Sequence, residues 1–184
     1  YTTLFRSLIK ERRSVRKYKD EKVDRETMRE IVDIARWAPS WVNYQIARYT
    51  LVDDEEIIKE IAEHGVNGFV YNIDTLRTAK GVAVLSFVKG KSGTYDKEYI
   101  TSKGNSWEVF DAGIACQTFC LAAHAKGVGT CIMGVIDDKS IAKIVNLPED
   151  ETVAALIVYG YEDGEHAAPN KRKDVDEIMR FVDR

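Results

Sequence analysis

The segment from 104 to 127 constrains the fold of this chain most strongly. It reads GNSWEVFDAGIACQTFCLAAHAKG, which is apolar around most of a helix's circumference and ends at Gly127, a residue favoured where helices stop. A helix with so little polar surface is expected in the core, because exposing it would leave a large apolar area in water. Glu108 and Asp111 near its start are interpreted as charges that favour the helix dipole rather than as acid/base catalysts.

Helical and strand-like patterns alternate along the rest of the chain. Helices are predicted where apolar residues recur every three to four positions; the clearest one has Asp24 as N-cap and stops before Pro39, and Thr3 is a candidate cap for the first. Short, largely apolar runs predict strands. Four strands among five or six helices indicate an α/β or α+β layered domain. The predicted helices, besides the one above, span 3–11, 24–38, 53–65, 138–146 and 175–183, and the predicted strands span 47–52, 81–88, 130–135 and 152–161.

Composition favours a single domain over residues 1–184, because 45% hydrophobic and 31% charged residues are ordinary globular usage. The formal net charge of -3 and a pI near 5.7 give no overall attraction to nucleic acid or anionic membranes. No apolar run approaches the roughly 18 residues of a membrane span, and no signal-peptide core begins the chain. We therefore expect a soluble, cytoplasmic protein without nucleic-acid or membrane partners.

The three cysteines are interpreted as reduced, buried thiols, since Cys116, Cys120 and Cys131 lie in apolar surroundings and are odd in number. Cys116, Cys120 and His124 share one helix face, as metal ligands do. However, eight residues of helix span about 12 Å, too far for the outer pair to share an ion at ligand distances near 2 Å. No metal is expected, although a two-ligand site completed elsewhere stays open.

The stretch ERRSVRKY, residues 11–18, is strongly cationic in an otherwise acidic chain. In an extended conformation side chains alternate between two faces, so Arg12, Ser14 and Arg16 would point one way, and Arg13 and Val15 the other. Two guanidinium groups and a hydroxyl suit a phosphate. The alternative is a solvated basic turn between two helices. Residues 12–16 are called the basic segment below.

A second candidate is the polar loop between the helix that Pro39 stops and the strand 47–52. It contains Ser40, Asn43 and Gln45, whose hydroxyl and amide groups would lie at the end of a sheet, where α/β proteins often bind ligands. Ordinary turn chemistry explains the same residues equally well.

Taken together, several segments resemble the nitroreductase family of FMN-dependent oxidoreductases. They are RRSVRKY, ARWAPSWVNYQ, DAGIACQTFCLAAHAKGVGTCIMG, LPEDETVAALIVYGY and PNKRK, in the family's order and approximate spacing over nearly the whole chain. The resemblance implies an α+β, three-layer fold with a central, mostly antiparallel sheet flanked by helices. It also implies a homodimer with FMN sites at the interface.

The resemblance assigns roles to residues of this sequence. The basic segment and Arg172, with Lys171 a weaker candidate, would bind the FMN phosphate and ribityl chain, and Arg16 would reach the polar edge of the ring. The loop with Pro39, Ser40 and Asn43 would contact the flavin from the other subunit. Asn72 and the main chain of 132–134 would lie against the ring. The expected FMN contacts are therefore Arg12, Arg13, Ser14, Arg16, Pro39, Ser40, Asn43, Asn72, Ile132, Met133, Gly134 and Arg172.

The sequence departs from the family at the substrate side. Trp41-Val42 stand where the family commonly has two small residues, and Ile46-Ala47 follow Gln45 in place of a Pro-Trp pair. The indole of Trp41 would either narrow the cleft or bury itself in the dimer interface. The polar segment 89–107 corresponds to a variable region that can cover the flavin. Its aromatic residues would be substrate contacts or simple packing residues, and the candidates for substrate contact are Trp41, Tyr95, Tyr99 and Trp107.

The implied activity is electron transfer from NADH or NADPH, through FMN, to electron-poor acceptors such as nitroaromatics or quinones, by a ping-pong mechanism. Because FMN carries the hydride chemistry, no catalytic side chain is expected. Alternatives are a flavin carrier or sensor with incidental turnover, a family member with other redox chemistry such as enone reduction, dehalogenation or heterocycle oxidation, and an anion- or nucleic-acid-binding module.

Overall fold

The computed structural model describes residues 2–182 of the chain. In this range the helices are α1 (Thr2–Glu11), α2 (Arg25–Ala35), α3 (Glu55–His64), α4 (Val70–Thr78), α5 (Ser106–Ala125), α6 (Asp138–Ile144) and α7 (Val175–Ile178), and one 3-10 turn spans Trp41–Asn43. The strands are β1 (Ala47–Val52), β2 (Gly81–Val88), β3 (Thr94–Tyr95), β4 (Glu98–Tyr99), β5 (Gly129–Met133) and β6 (Glu151–Gly160).

The central sheet contains β1, β2, β6 and β5 in that order, and every neighbouring pair is antiparallel. The short strands β3 and β4 form a separate hairpin within the polar segment 89–107. The four predicted strands are confirmed with shifts of one or two residues at their ends. The hairpin was not predicted, because its sequence is polar and lacks an alternating pattern.

The fold has three layers, with the sheet between two layers of helices and one apolar cluster on each face of the sheet. On one face α2 and α5 pack against the sheet, and on the other lie α3, α4 and α6. Alternation along β2 divides its side chains between the two clusters: Ala83, Leu85 and Phe87 join the first, and Val82 and Val84 the second. The predicted α+β architecture is therefore confirmed.

Helix α5 is less enclosed than its sequence predicts. Its inner face is buried against α2 and the sheet. Its outer face is exposed, with Val109 59% and Phe110 57% accessible in the single chain. The expectation of a helix in the core thus holds for one side only, and the other side presents an apolar surface that the described residues leave largely exposed.

Local sequence signals explain where several helices begin. Asp24 caps α2, as predicted, and its carboxylate accepts from the backbone N–H of Thr27 at 2.8 Å. Thr3, the candidate cap of the first helix, instead lies inside α1. Helix α4 was missed because its apolar residues do not form a single stripe.

Near the C-terminus the predicted helix 175–183 is reduced to the single turn α7, and residue 183 lies outside the described range. All residues of α7 are exposed. A short helix without a packing partner gains too little from burial to extend, which explains the difference.

Candidate active site

The basic segment lies along the free edge of β5. Ser14 forms a parallel bridge with Thr130, and the backbone N–H of Val15 donates to the carbonyl of Thr130 at 2.9 Å. Val15 is buried in the core, while Ser14 and Arg16 are exposed and Arg12 is half-buried. The predicted alternation is therefore present over residues 14–16, where it is fixed by the burial of Val15, whereas Arg12 and Arg13 are both half-buried and line one cavity.

The close fit of this segment depends on a glycine opposite it. A Cβ atom at Gly129 would lie 2.7 Å from a methyl carbon of Val15, so no larger residue fits without moving the segment. Tyr18 also holds the basic segment in place, because its buried hydroxyl donates a hydrogen bond of 2.6 Å to the carbonyl of Val15. Burial raises the pKa of Tyr18, so this hydroxyl keeps its proton.

The arginines of the basic segment differ in their contacts with the rest of the chain. The guanidinium group of Arg13 donates to the carbonyls of Ala167 (2.9 Å), Lys10 (2.6 Å) and Arg12 (2.9 Å), which makes it a clamp between main-chain segments. Arg16 donates to the carbonyl of Ser14 at 3.2 Å. The ion pairs among residues 2–182 involve other cations than Arg12 and Arg16. The charges of these two arginines are therefore not neutralised by a carboxylate of the described chain.

Residues 132–134, at the end of β5, lie on the same sheet edge. The side chain of Met133 is buried in the core, so only its main chain faces outward, whereas Ile132 is exposed. Around Gly134 a Cβ atom would meet no heavy atom within 4 Å. The backbone here is thus open to a flat ligand.

Asn72 lies next to this edge. It is buried on α4, and its side-chain NH2 donates to the carbonyl of Val135 at 3.0 Å. Asn67 makes a similar contact: its side-chain NH2 donates to the carbonyl of Ile136, the residue after Val135, at 2.9 Å. The amide of Asn72 therefore fixes the main chain that follows Gly134, and its oxygen remains as an acceptor.

The loop before β1 is tightly constrained. The hydroxyl of Ser40 accepts from the backbone N–H of Gln45 at 2.8 Å. Val42, Asn43 and Gln45 all have left-handed backbone angles, with φ of 45°, 56° and 51°. Such conformations are costly for residues other than glycine, most of all for a β-branched valine, and they concentrate at functional sites. Pro39 and Asn43 are exposed.

Within one chain this loop is far from the basic segment. Ala47, which follows the loop, pairs with Phe87 of β2, and Phe87 pairs with Thr152 near the start of β6. Ser14 pairs with Thr130 of β5, and Thr130 pairs with Tyr159 near the end of β6. The two positions are also separated by four strand spacings. With about 3.3 Å per residue and about 4.8 Å per strand, they lie about 30 Å apart, at opposite corners of the sheet.

The indole of Trp41 packs against an aromatic residue of its own chain, while its narrowing of the cleft and its burial in the dimer interface stay predictions. Its ring centroid is 5.1 Å from that of Trp107, and Trp107 stacks edge-on against Phe110. The indole N–H donates to the carbonyl of Thr94 at 3.0 Å. Trp41 therefore joins the loop before β1 to the β3–β4 hairpin.

Two buried carboxylates on α5 hold the same region together. Asp111 accepts from the backbone N–H of Trp41 at 2.9 Å and from the hydroxyl of Ser92 at 2.5 Å. Glu108 accepts from the backbone N–H of Gly90 at 2.5 Å and from the hydroxyl of Tyr99 at 3.1 Å. Sequence reasoning treated both only as helix-end charges. Their spacing of three residues on one helix, directly after a polar segment rich in hydroxyl and glycine N–H groups, is the signal that could have revealed this role.

Of the two tyrosines expected at the substrate side, Tyr99 is therefore anchored and Tyr95 is free to contact a ligand, with 73% of its surface exposed. Burial, followed by the bond to Glu108, raises the pKa of Tyr99.

The C-terminal segment returns to the basic segment. After β6, Tyr161 accepts from the backbone N–H of Lys19, and the side chain of Lys17 pairs with Asp163 at 2.7 Å. Further along, Arg172 is exposed and donates to the carbonyl of Asn170 at 3.2 Å. The contacts with the basic segment extend to Ala167, which accepts from Arg13, and no contact between Arg172 and Arg12 is present among the described residues.

Cys116 and Cys120 lie one helical turn apart on α5, and the interaction between the two thiols lowers the pKa of Cys120 and raises that of Cys116. Cys131 is buried as well, and burial raises its pKa. The residues described include no group of three or more His, Cys, Asp or Glu side chains able to hold a metal ion. Nor is any helix in residues 2–182 long and apolar enough to cross a membrane.

Together these features fit a flat, phosphate-bearing cofactor. Arg12, Arg16 and the hydroxyl of Ser14 offer unneutralised donors at one end, and the open backbone at Gly134 offers a surface at the other. Charge-assisted bonds from guanidinium groups are well suited to phosphate oxygens.

Comparison with known proteins agrees with this chemistry. An iodotyrosine deiodinase of Thermotoga neapolitana is 26% identical over 85% of this chain and 87% of its own length. A 4-nitrobenzoate reductase of a Nocardioides species is 24% identical over 97% and 90%, respectively. The structure of an FMN-dependent nitroreductase from Clostridium difficile R20291 superimposes with a TM-score of 0.76, at 28% identity, over 95% of this chain and 97% of that one. The family model described as "Nitroreductase family" matches residues 9–161, and the chain therefore belongs to the nitroreductase family of oxidoreductases.

Proposed function

We propose that this chain is an FMN-dependent oxidoreductase that passes electrons from NADH or NADPH to electron-poor acceptors such as nitroaromatics or quinones. The observation that carries the proposal is the position of Ser14 on the edge of β5, between Arg12 and Arg16, whose charges no described carboxylate pairs, with the open backbone of Gly134 at the end of the same strand. Bound FMN would supply the hydride chemistry for a ping-pong cycle, in which a nicotinamide donor and an electron-poor acceptor occupy the site in turn.

The residues at the phosphate end bind and orient the cofactor. Arg12 and Ser14 would contact the phosphate, and Arg172 would approach it from the C-terminal segment. Arg16 would lie nearer the ring, where a positive charge favours the electron-rich, reduced state. Arg13, held by three carbonyls, would keep the segment in place rather than touch the cofactor.

The ring end is formed mainly by the main chain. Ile132, Met133 and Gly134 would lie along one face of the ring, and Asn72 would fix the backbone beyond it. Because a Cβ at Gly134 would occupy the space above the strand end, glycine permits the closest approach of a ring at this position.

The active form in this proposal is a homodimer with shared sites. The loop with Pro39, Ser40 and Asn43 lies about 30 Å from the basic segment of its own chain, so it would reach a flavin only in a second protomer. Apolar side chains on the neighbouring helices α1 and α5 supply a surface for association: Leu4, Phe5, Val109 and Phe110.

Substrate would enter beside the β3–β4 hairpin. Tyr95 is its most exposed aromatic residue, while Trp41 and Tyr99 shape the hairpin from within the chain. A cytoplasmic location is part of the proposal and rests on the thiols of Cys116, Cys120 and Cys131, which are buried and unbridged.

The visible absorption spectrum of the purified protein, with and without added FMN, tests this proposal. Anaerobic titration with NADH and NADPH should then bleach the flavin, and an added acceptor should restore the colour. A protein that does not bind FMN contradicts the proposal outright. Flavin that binds but supports no steady turnover would favour a carrier or sensor.

Reductive dehalogenation is a second candidate within the same chemistry, because a relative 26% identical to this chain is named an iodotyrosine deiodinase. Release of iodide from an iodinated phenol by the reduced protein would support it. Reduction of a nitroaromatic without iodide release would favour the first candidate.

A further inference from the structure

His166 joins the C-terminal segment to the start of the basic segment. Its ring nitrogen Nδ1 lies 2.7 Å from a carboxylate oxygen of Glu162, and Nε2 lies 2.7 Å from the carbonyl oxygen of Glu11 at the end of α1. The bond to Glu11 connects the C-terminal segment to the end of α1, 155 residues earlier in the sequence, and the bond to Glu162 lies within the C-terminal segment.

Both neighbours of the ring are acceptors only. A carboxylate and a carbonyl carry no hydrogen to donate, so each bond requires an N–H on the histidine. A neutral imidazole has one N–H, and only the imidazolium ion has two. The observed geometry is therefore completed only when His166 is doubly protonated.

The surroundings include charges of both signs. Glu162 lies on the histidine's own segment; Glu11 belongs to α1, Arg13 to the basic segment and His124 to α5. The hydrogen bond with Glu162 is the main cause that raises the pKa of His166, and the charge of Arg13 opposes it. Burial, followed by the charge of His166, lowers the pKa of His124 and so disfavours a second positive charge beside His166.

His124 also supports the ring by contact. The two imidazoles are nearly parallel, at an angle of 15°, with centroids 6.2 Å apart. A small cavity beside them is lined by Arg12, Arg13 and the backbone of residues 127–129. His166 is thus placed close to the arginine expected to bind the phosphate.

The segment that His166 fastens leads directly to Arg172. Six residues of extended chain span at most about 20 Å, so fixing His166 restricts where Arg172 can lie. Arg13 also holds this segment, because its guanidinium group donates to the carbonyl of Ala167. The side chain of Arg172 itself donates only to the nearby carbonyl of Asn170 in the described structure.

We propose that His166, as an imidazolium ion, is a positioning residue that holds the C-terminal segment against the basic segment and so keeps Arg172 beside the FMN phosphate. This rests on the proposed function, because it assumes the phosphate site of Arg12, Ser14 and Arg172. The two bonds are complete below the pKa of His166 and are lost as pH rises through it, so FMN affinity should fall over that interval.

The protonation of His166 can be measured without cofactor. The chain has 3 histidines, and NMR titration of their ring signals, assigned with His64→Gln and His124→Gln, gives each pKa. The pKa of His166 should lie above the ordinary value of a histidine, about 6.5, and Glu162→Gln should lower it. A pKa of His166 at or below that ordinary value would overturn the proposal.

The effect on the cofactor is measured as the FMN dissociation constant, by flavin fluorescence, from pH 5.5 to 9. His166→Gln should weaken binding about tenfold at pH 6 and converge with the natural protein at pH 9, a size expected for losing charge-assisted bonds at a partly exposed site. His166→Arg should retain binding without that pH dependence. His64→Gln serves as the control. The pH dependence of its FMN dissociation constant gives the contribution from ionisation of the FMN phosphate, which is the same in every variant.

The outcomes separate the two proposals. Equal FMN affinity of His166→Gln and the natural protein at pH 6, or a difference that does not change with pH, would overturn the positioning role. Absence of FMN binding by the natural protein at every pH would overturn the proposed function and with it the role toward Arg172. In that case the NMR titration still decides whether the imidazolium holds the segment.

Discussion

The carboxylate of Asp111 accepts a hydrogen bond of 2.5 Å from the hydroxyl of Ser92, and the same oxygen accepts from the backbone N–H of Trp41. One buried atom on α5 thereby fixes both the hairpin region and the loop before β1. The two parts of the molecule expected to contact substrate and flavin are therefore held by a single side chain.

Replacing Asp111 by alanine should destabilise the protein, because two donors would lose their acceptor in a buried environment. We expect the free energy of unfolding to fall by about 2–3 kcal/mol, measured by urea denaturation. Asp33→Ala is the control, since Asp33 is exposed and its pair with Arg36 should contribute less than about 1 kcal/mol. Equal losses in the two variants would show that the Asp111 bonds do not stabilise the fold.

A second prediction concerns the attachment of the basic segment. In Gly129→Ala the added methyl group would collide with Val15, whose side-chain carbons lie 2.7 to 3.1 Å from the Cβ position. The free energy of unfolding should fall by about 1–3 kcal/mol, as for other overpacked sites, and FMN binding should weaken with it. Unfolding measured without cofactor separates the two effects. Unchanged stability would mean that the segment can move away from the sheet without cost.

Gly134→Ala offers the matched opposite case. The added methyl group meets nothing within 4 Å, so stability without cofactor should change by less than about 0.5 kcal/mol. If the flavin ring lies along this backbone, the methyl group should weaken FMN binding by about 1–3 kcal/mol, measured by equilibrium titration. Full retention of FMN affinity would place the ring elsewhere.

How far the sequence predicts this site depends on whether the relevant pattern is local. Alternation in the basic segment was predictable, because an extended chain has only two faces and Val15 must enter the core. The cap at Asp24 is local in the same way. The resemblance to the nitroreductase family added the cofactor and the residues expected to contact it.

Other features depend on residues that are distant in sequence or unusual for their conformation. The β3–β4 hairpin has no strand pattern and is held by Glu108 and Asp111 from a helix that follows it. No propensity rule predicts left-handed backbone angles at Val42, because that conformation normally requires glycine or asparagine. The position of the Trp41 indole depends on its bond to this hairpin, so the sequence pattern does not predict it either.

Binding of the phosphate is tested by removing the cationic groups. Arg12→Ala and Arg172→Ala should each weaken FMN binding by about 1.5–3 kcal/mol, as expected for the loss of a charge-assisted contact. Arg29→Ala, an exposed arginine on α2, controls for the change in net charge. Titrations at two salt concentrations add a check, because the loss should shrink as salt screens the charges. Unchanged affinity in both variants would mean that the phosphate is bound elsewhere.

The shared site predicts that FMN affinity depends on association between chains. Phe5 is 61% exposed on α1, and a charge placed there would have to be buried in the proposed interface. Phe5→Glu should therefore shift sedimentation toward the monomer and weaken FMN binding together, and raising the protein concentration should restore both, as linkage requires. Lys59→Glu, on the exposed face of α3, is the control for an added negative charge. A monomer that binds FMN as tightly as the dimer would contradict the shared site, because the loop with Ser40 would then have no route to the flavin.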